Sequence, residues 1–75
     1  MIRILIGSNG GLTGIYLAKQ YRKYEGIILF GADASENSTG RFFVNQQFIL
    51  PPAYDNTFVD ALIDLLNTYD IQVYL

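Results

Sequence analysis

Four glycines fall within the eight residues Gly7-Ser8-Asn9-Gly10-Gly11-Leu12-Thr13-Gly14, between an apolar run, Ile2 to Ile6, and a helical pattern that begins at about Leu12. Glycine accepts positive φ and lets other groups approach the backbone closely. A strand-to-helix turn leaves the first helical N–H groups unpaired and aims the positive end of the helix dipole above the loop. The stretch therefore predicts the first βα turn of an open α/β sheet, a position at which anions and nucleotides often bind.

The remaining elements follow the same alternation. In the first strand Ile2, Ile4 and Ile6 face one way and Leu5 the other, with Arg3 the only polar residue, a pattern suited to a strand covered on both faces. Leu12 to Tyr24 reads as the first helix, with Ile15, Ala18 and Tyr21 as its inner stripe, Gly14 one turn before Ala18, and Gly26 as its terminator. Ile27 to Phe30 is a second buried strand closed by Gly31, and the twenty residues between it and the first are crossover length, not hairpin length. A polar loop, Asp33 to Gly40, leads to a short helical turn around Thr39 to Phe43. Phe48-Ile49-Leu50 reads as a third strand, stopped by Pro51-Pro52 because proline cannot donate to a ladder.

Asp55 is placed to cap the second long helix, and Asp60 to meet its early dipole. That helix sets Phe58, Leu62, Leu65, Leu66 and Tyr69 on one face, flanked by Val59 and Ile63, with Asp60, Asp64 and Asn67 opposite. Asp70 sits at the unfavourable, C-terminal end of its dipole. Ile71 to Leu75 is the fourth strand. With right-handed crossovers this order predicts a Rossmann-like open parallel sheet of four strands, order 3-2-1-4, with helices on both faces. The connections then reverse direction between strands 1 and 4, and the glycine loop lies at the mouth of that crevice.

Several function classes are excluded within this chain. It has neither cysteine nor histidine, so disulfides, the usual zinc sites, cysteine nucleophiles and histidine bases have no residues to form them. Its 75 residues make one domain at most, and its 51% apolar content is ample for a folded unit. A net charge of −2 with five scattered Lys and Arg is no footprint for nucleic acid or an anionic membrane, and Lys19, Arg22 and Lys23 read as a solvated helix face. No basic-then-apolar leader and no membrane-length apolar run is present, so a cytoplasmic location is expected.

The glycine loop admits more than one chemistry. No lysine follows it, so the P-loop pattern fails for want of a group to reach a β- or γ-phosphate. The dinucleotide fingerprint is nearly met by Asn9-Gly10-Gly11-Leu12-Thr13-Gly14, with Asn9 where the first glycine belongs; asparagine tolerates left-handed φ better than most residues. Asp33 follows the second strand, where an acidic residue meets a ribose. The loop reads equally as a plain tight turn, and Asp33 more readily as a loop cap than as a ligand contact. Ser8, Asn9 and Thr13 are candidate substrate contacts, and Asp33 with Glu36 a sparse cation pair; no metal site is expected. The Tyr and Phe content reads as core, since no RNA-binding signature accompanies it.

Four features taken together resemble one family. They are Ile4-Leu5-Ile6-Gly7 with the glycine loop, Phe30-Gly31-Ala32-Asp33, Phe48-Ile49-Leu50-Pro51-Pro52, and Phe58-Val59-Asp60-Ala61-Leu62 leading to Ile71-Gln72-Val73. In this order they resemble the N-terminal, pre-ATP-grasp domain of ATP-grasp ligases, especially the carbamoyl-phosphate synthase large-chain-like group. The resemblance covers nearly the whole chain, and the strand-Pro-Pro step before an acidic helix start is its most telling part. It implies a fragment of a longer ligase, in which an ATP-grasp domain binds ATP and Mg2+ and activates a carboxylate as an acyl phosphate for attack by an amine or similar nucleophile. By the same resemblance Gly7, Ser8, Asn9, Gly10 and Gly11 line the shared active site, Asp33 lies beside it, and the ATP-grasp domain of the parent chain is the packing partner. No cofactor and no catalytic residue is expected in this piece. The alternatives are a dinucleotide-binding half domain of an NAD(P)-dependent oxidoreductase and a free-standing α/β interaction module. Strand 4, uncharged at Ile71, Val73 and Leu75, is also expected to form an open edge through which the chain pairs with a second copy as an isologous dimer.

Overall fold

The computed structural model describes residues 1–75. Its elements are β1 (Ile2–Gly7), α1 (Leu12–Tyr21), β2 (Ile27–Asp33), a 3₁₀ turn (Thr39–Phe43), β3 (Gln46–Ile49), α2 (Phe58–Thr68) and β4 (Val73–Tyr74). The four strands form one sheet in the order β3-β2-β1-β4, and every pairing is parallel. The open α/β fold and the 3-2-1-4 order are as the element sequence predicts. In register, Ile2 lies opposite Ile27 and Gly7 opposite Ala32, while Ile4 and Leu5 lie opposite Val73 and Tyr74.

Successive strand residues point to opposite faces, which sorts the core into two layers. Ile4, Ile6 and Leu29 pack with Ala18, Leu17 and Tyr21 of α1 and with Phe43 and Val44. Leu5, Phe30 and Ala32 pack with Leu50 and with Phe58, Ala61, Leu62, Leu65, Leu66 and Tyr69 of α2. The two helices thus cover opposite faces. Leu5 and Ile6 are completely buried, each contributing about 1.5–3 kcal/mol. In the α2 layer the rings of Phe30, Phe48 and Tyr69 form a triangle, with centroids 4.7–6.0 Å apart. No helix is long and apolar enough to cross a membrane.

Element boundaries depart from expectation at several points, each for a local reason. α1 stops at Tyr21, three residues short of Tyr24; the chain turns there through a bond from the Tyr24 amide to the Tyr21 carbonyl. Gly26 does not terminate it, has no positive φ, and has open space where a Cβ would stand. On the inner stripe Leu17 joins the core in place of Ile15. β2 runs through Gly31 to Asp33. β3 begins at Gln46 and ends at Ile49, although the Leu50 amide still donates to the Asp33 carbonyl. β4 is reduced to Val73–Tyr74.

At the start of α2 the N-cap is Thr57, not Asp55. Asp55 instead accepts from both the amide and the hydroxyl of Thr57, at 2.9 and 2.7 Å, and so orders the turn that leads into the helix. At the other end Asp70 acquires a role. It adopts left-handed φ, 52°, one residue beyond the C-cap Tyr69. The Ile71 amide then donates to the Leu66 carbonyl and the Asp70 amide to the Asn67 carbonyl, the Schellman arrangement that closes a helix. α2 has no basic residue in its last turn, but Arg3 of β1 supplies one: its Nε donates to the Tyr69 carbonyl at 2.6 Å, with the guanidinium 5.3 Å from the centre of the Phe30 ring.

Candidate functional site

The carboxyl ends of the strands converge on a crevice of about 350 Å³, within the range of small-molecule sites. It opens where the crossovers diverge, with α1 leaving β1 toward one face of the sheet and α2 entering β4 from the other. Gly7 and Ser8 form one wall. Ala32, Asp33 and Ala34 form the floor at the end of β2, and Leu50, Pro51, Pro52 and Ala53 the far wall beyond β3. Phe58 of α2 and Tyr74 of β4 close the remaining side. Because Ala32, Leu50 and Phe58 also belong to the α2 core layer, the crevice lies on that side of the sheet.

The glycine loop takes its shape for reasons other than glycine's access to positive φ. No glycine in the chain has positive φ; the left-handed residue of the loop is Ser8, at 50°. A Cβ on Gly7 would stand 2.9 Å from the Tyr74 ring and hydroxyl, the far end of an exposed side chain that would have to swing aside. Asn9 is fully buried. Its carboxamide exchanges two hydrogen bonds of 2.8 Å with that of Gln47 on β3. Gly14, Gly31 and Gly40, far apart in sequence, all leave room for Asn9. A Cβ on Gly14 would stand 2.6 Å from the Asn9 Cα, and one on Gly31 or Gly40 would overlap the Asn9 carboxamide or carbonyl.

Four of the loop amides are committed within the chain, while those of Ser8 and of Leu12, Thr13 and Gly14 in the first turn of α1 have no partner. Gly7 donates to the Leu75 carbonyl, Asn9 to the Ala32 carbonyl and Gly11 to the Ser8 carbonyl. Gly10 donates to Asp33 Oδ2 at 2.9 Å, while Asp33 Oδ1 accepts from the Ser35 amide at 3.1 Å. An internal carboxylate therefore occupies the Gly10 amide, where a phosphate-binding loop would present its donors to an anion. Asp33 thus ties the end of β2 to the glycine loop and starts the polar loop that follows.

Of the candidate contacts, Ser8 is exposed and lines the crevice, Thr13 is exposed on α1, Gly11 is exposed, and Gly10 is half-buried against Asp33 and Ser38. The Asn9 side chain is turned inward. Glu36 is exposed, and no three His, Cys, Asp or Glu side chains come together as a metal ion requires. Three elements of the site went unread in the sequence. Gln47 carries no motif and joins Asn9 across 38 residues; Tyr74 reaches the site only because β4 lies beside β1; and Pro51-Pro52 signalled a strand end, not a wall. Compared with known proteins, the chain matches no family model and no curated protein.

Proposed function

We propose that this chain is the substrate-side N-terminal domain of a carbamoyl-phosphate-synthase-like ATP-grasp ligase, and that its crevice contributes part of the site where the ligase's substrate is held. One observation carries the reading. The strand-Pro-Pro step, the most telling part of the family resemblance, and the start of the glycine loop at Gly7 and Ser8 line a single crevice at the carboxyl edge of the sheet. Such an edge, at a reversal of crossover direction, is where open α/β sheets receive ligands.

This reading places neither ATP nor Mg2+ on this chain. The glycine-loop amides at Gly7, Asn9, Gly10 and Gly11 already have partners, no lysine follows the loop, and no acidic cluster stands ready for a cation. In this reading both belong to the ATP-grasp part of the parent, and the crevice holds a substrate by shape and by few polar groups, chiefly those of Ser8 and Tyr74.

Two measurements test the reading. The encoding frame is expected to continue past Leu75 into an ATP-grasp domain, whose product forms ADP from ATP in the presence of a carboxylate and an amine. A stop codon directly after Leu75 overturns it. Calorimetric titration of the 75-residue chain with millimolar ATP or NAD is expected to give no saturable heat. Saturable NAD binding that disappears in Asp33→Ala would establish the dinucleotide reading in its place.

A further inference from the structure

The outer faces of the two helices carry matching patterns of opposite sign. On α1 and the turn that continues it, Leu12, Tyr16, Lys19 and Lys23 follow one another at helical spacing along the solvent side, with Lys19 Nζ 5.1 Å from the centre of the Phe43 ring and Lys23 Nζ donating to Gln20 Oε1. Leu12 and Tyr16 are 89% and 61% exposed. On α2, Val59 and Ile63 are 59% and 47% exposed, beside the exposed carboxylates of Asp60 and Asp64. Each face therefore presents two apolar side chains four residues apart and two like charges, the cations of α1 following the pair along the helix and the anions of α2 lying beside it. Single exposed apolar residues need no explanation, but a repeated pairing with inverted charge does.

We propose that these faces are the two halves of a head-to-tail interface, and that the partner docking on each is a second copy of this chain. α1 and α2 cover opposite sides of the sheet, so the two patterns cannot meet within one molecule. A twofold contact between identical faces pairs none of these charges with an opposite one. The complementary contact is α1 of one copy on α2 of the next, which is heterologous and leaves a cationic face open at one end and an anionic face at the other. Association is thus open-ended. This surface is separate from the crevice, and the inference does not depend on the ligase reading.

The test is sedimentation of the 75-residue chain at low ionic strength over increasing concentration. The weight-average mass is expected to rise from 8.5 kDa continuously past the dimer. Raising the salt to about 1 M, where the screening length is roughly 3 Å, is expected to lower the association constant at least about tenfold. Lys19→Glu/Lys23→Glu has two anionic faces and Asp60→Lys/Asp64→Lys two cationic ones. Each is expected to remain monomeric alone, and an equimolar mixture to recover the rising mass, with circular dichroism reporting that both variants are folded. A wild-type mass of 8.5 kDa throughout overturns the proposal. So does a plateau at twice that mass unaffected by the charge reversals, which would mark a closed dimer through the β4 edge, and so does a folded mixture that fails to associate.

Discussion

The carboxamides of Asn9 and Gln47 face each other across the end of the sheet and exchange two hydrogen bonds of 2.8 Å, joining the loop after β1 to the edge strand β3. Asn9 is fully buried, and no buried side-chain nitrogen or oxygen in the chain lacks a partner. Replacing Asn9 by Ala removes both bonds, leaves the Gln47 amide unsatisfied and opens a cavity among three glycines. The expected loss is about 2–4 kcal/mol, read from the urea midpoint. In a double-mutant cycle with Gln47→Ala the coupling should reach about 1 kcal/mol. A loss under about 0.5 kcal/mol for Asn9→Ala would mean that the pair contributes no more than an exposed contact.

Gly14 and Gly26 should respond to alanine with opposite signs. Gly14 lies in the first turn of α1, where alanine ordinarily gains about 1 kcal/mol of helix propensity. Here the added Cβ meets the Asn9 backbone at 2.6–3.2 Å, so Gly14→Ala should destabilise, and Gly14→Val should cost on the order of 1–3 kcal/mol through overpacking. Gly26 has ordinary φ and nothing within 4 Å of an added methyl, and Gly26→Ala should stabilise by about 0.4–1 kcal/mol by narrowing the unfolded ensemble. Thermal melts of the two alanine variants compare the signs directly; a shift of both in the same direction would contradict the packing around Asn9.

Asp70 is a stabilisation target. Its φ of 52° is the conformation that glycine adopts at least cost, and it places a negative charge at the C-terminal end of α2. Asp70→Gly should therefore raise stability by about 0.5–1.5 kcal/mol, while Asp70→Val should lower it. The expected order of urea midpoints is Gly, then wild type, then Val. Equal midpoints for Gly and Val would show that the Schellman turn does not persist in solution.

The acid limb of the stability profile should include Asp55. Its carboxyl is held below its ordinary 3.8, first by the Thr57 amide and then by the Thr57 hydroxyl, with burial opposing weakly. A depressed folded pKa means that the contribution is present above the unfolded pKa and is lost as pH falls through the lower, folded value. Below about pH 4, stability of the wild type should fall more steeply than that of Asp55→Asn, which no longer titrates. Parallel profiles over that interval would show that the Asp55–Thr57 turn is not maintained in solution.

Topology was legible in the sequence because it rests on local, repeated signals. Apolar runs of strand length, the amphipathic period of Phe58 to Tyr69 and crossover-length connections suffice for a parallel sheet in the order 3-2-1-4, since handedness and strand twist leave few alternatives. The glycine loop and Asp33 were visible as candidates by the same means. What those glycines are for was decided only by tertiary structure. Their spacing suggested positive φ, whereas Ser8 takes that conformation, and Gly14, Gly31 and Gly40 instead clear space around one buried asparagine. Steric exclusion of this kind arises between residues distant along the chain, so no local pattern records it. Arg3 serving the end of α2, Gln47 satisfying Asn9 and Tyr74 standing over Gly7 are likewise pairings of remote residues. A polar side chain's partner is set by which strands lie side by side, and that is settled only when the sheet has formed.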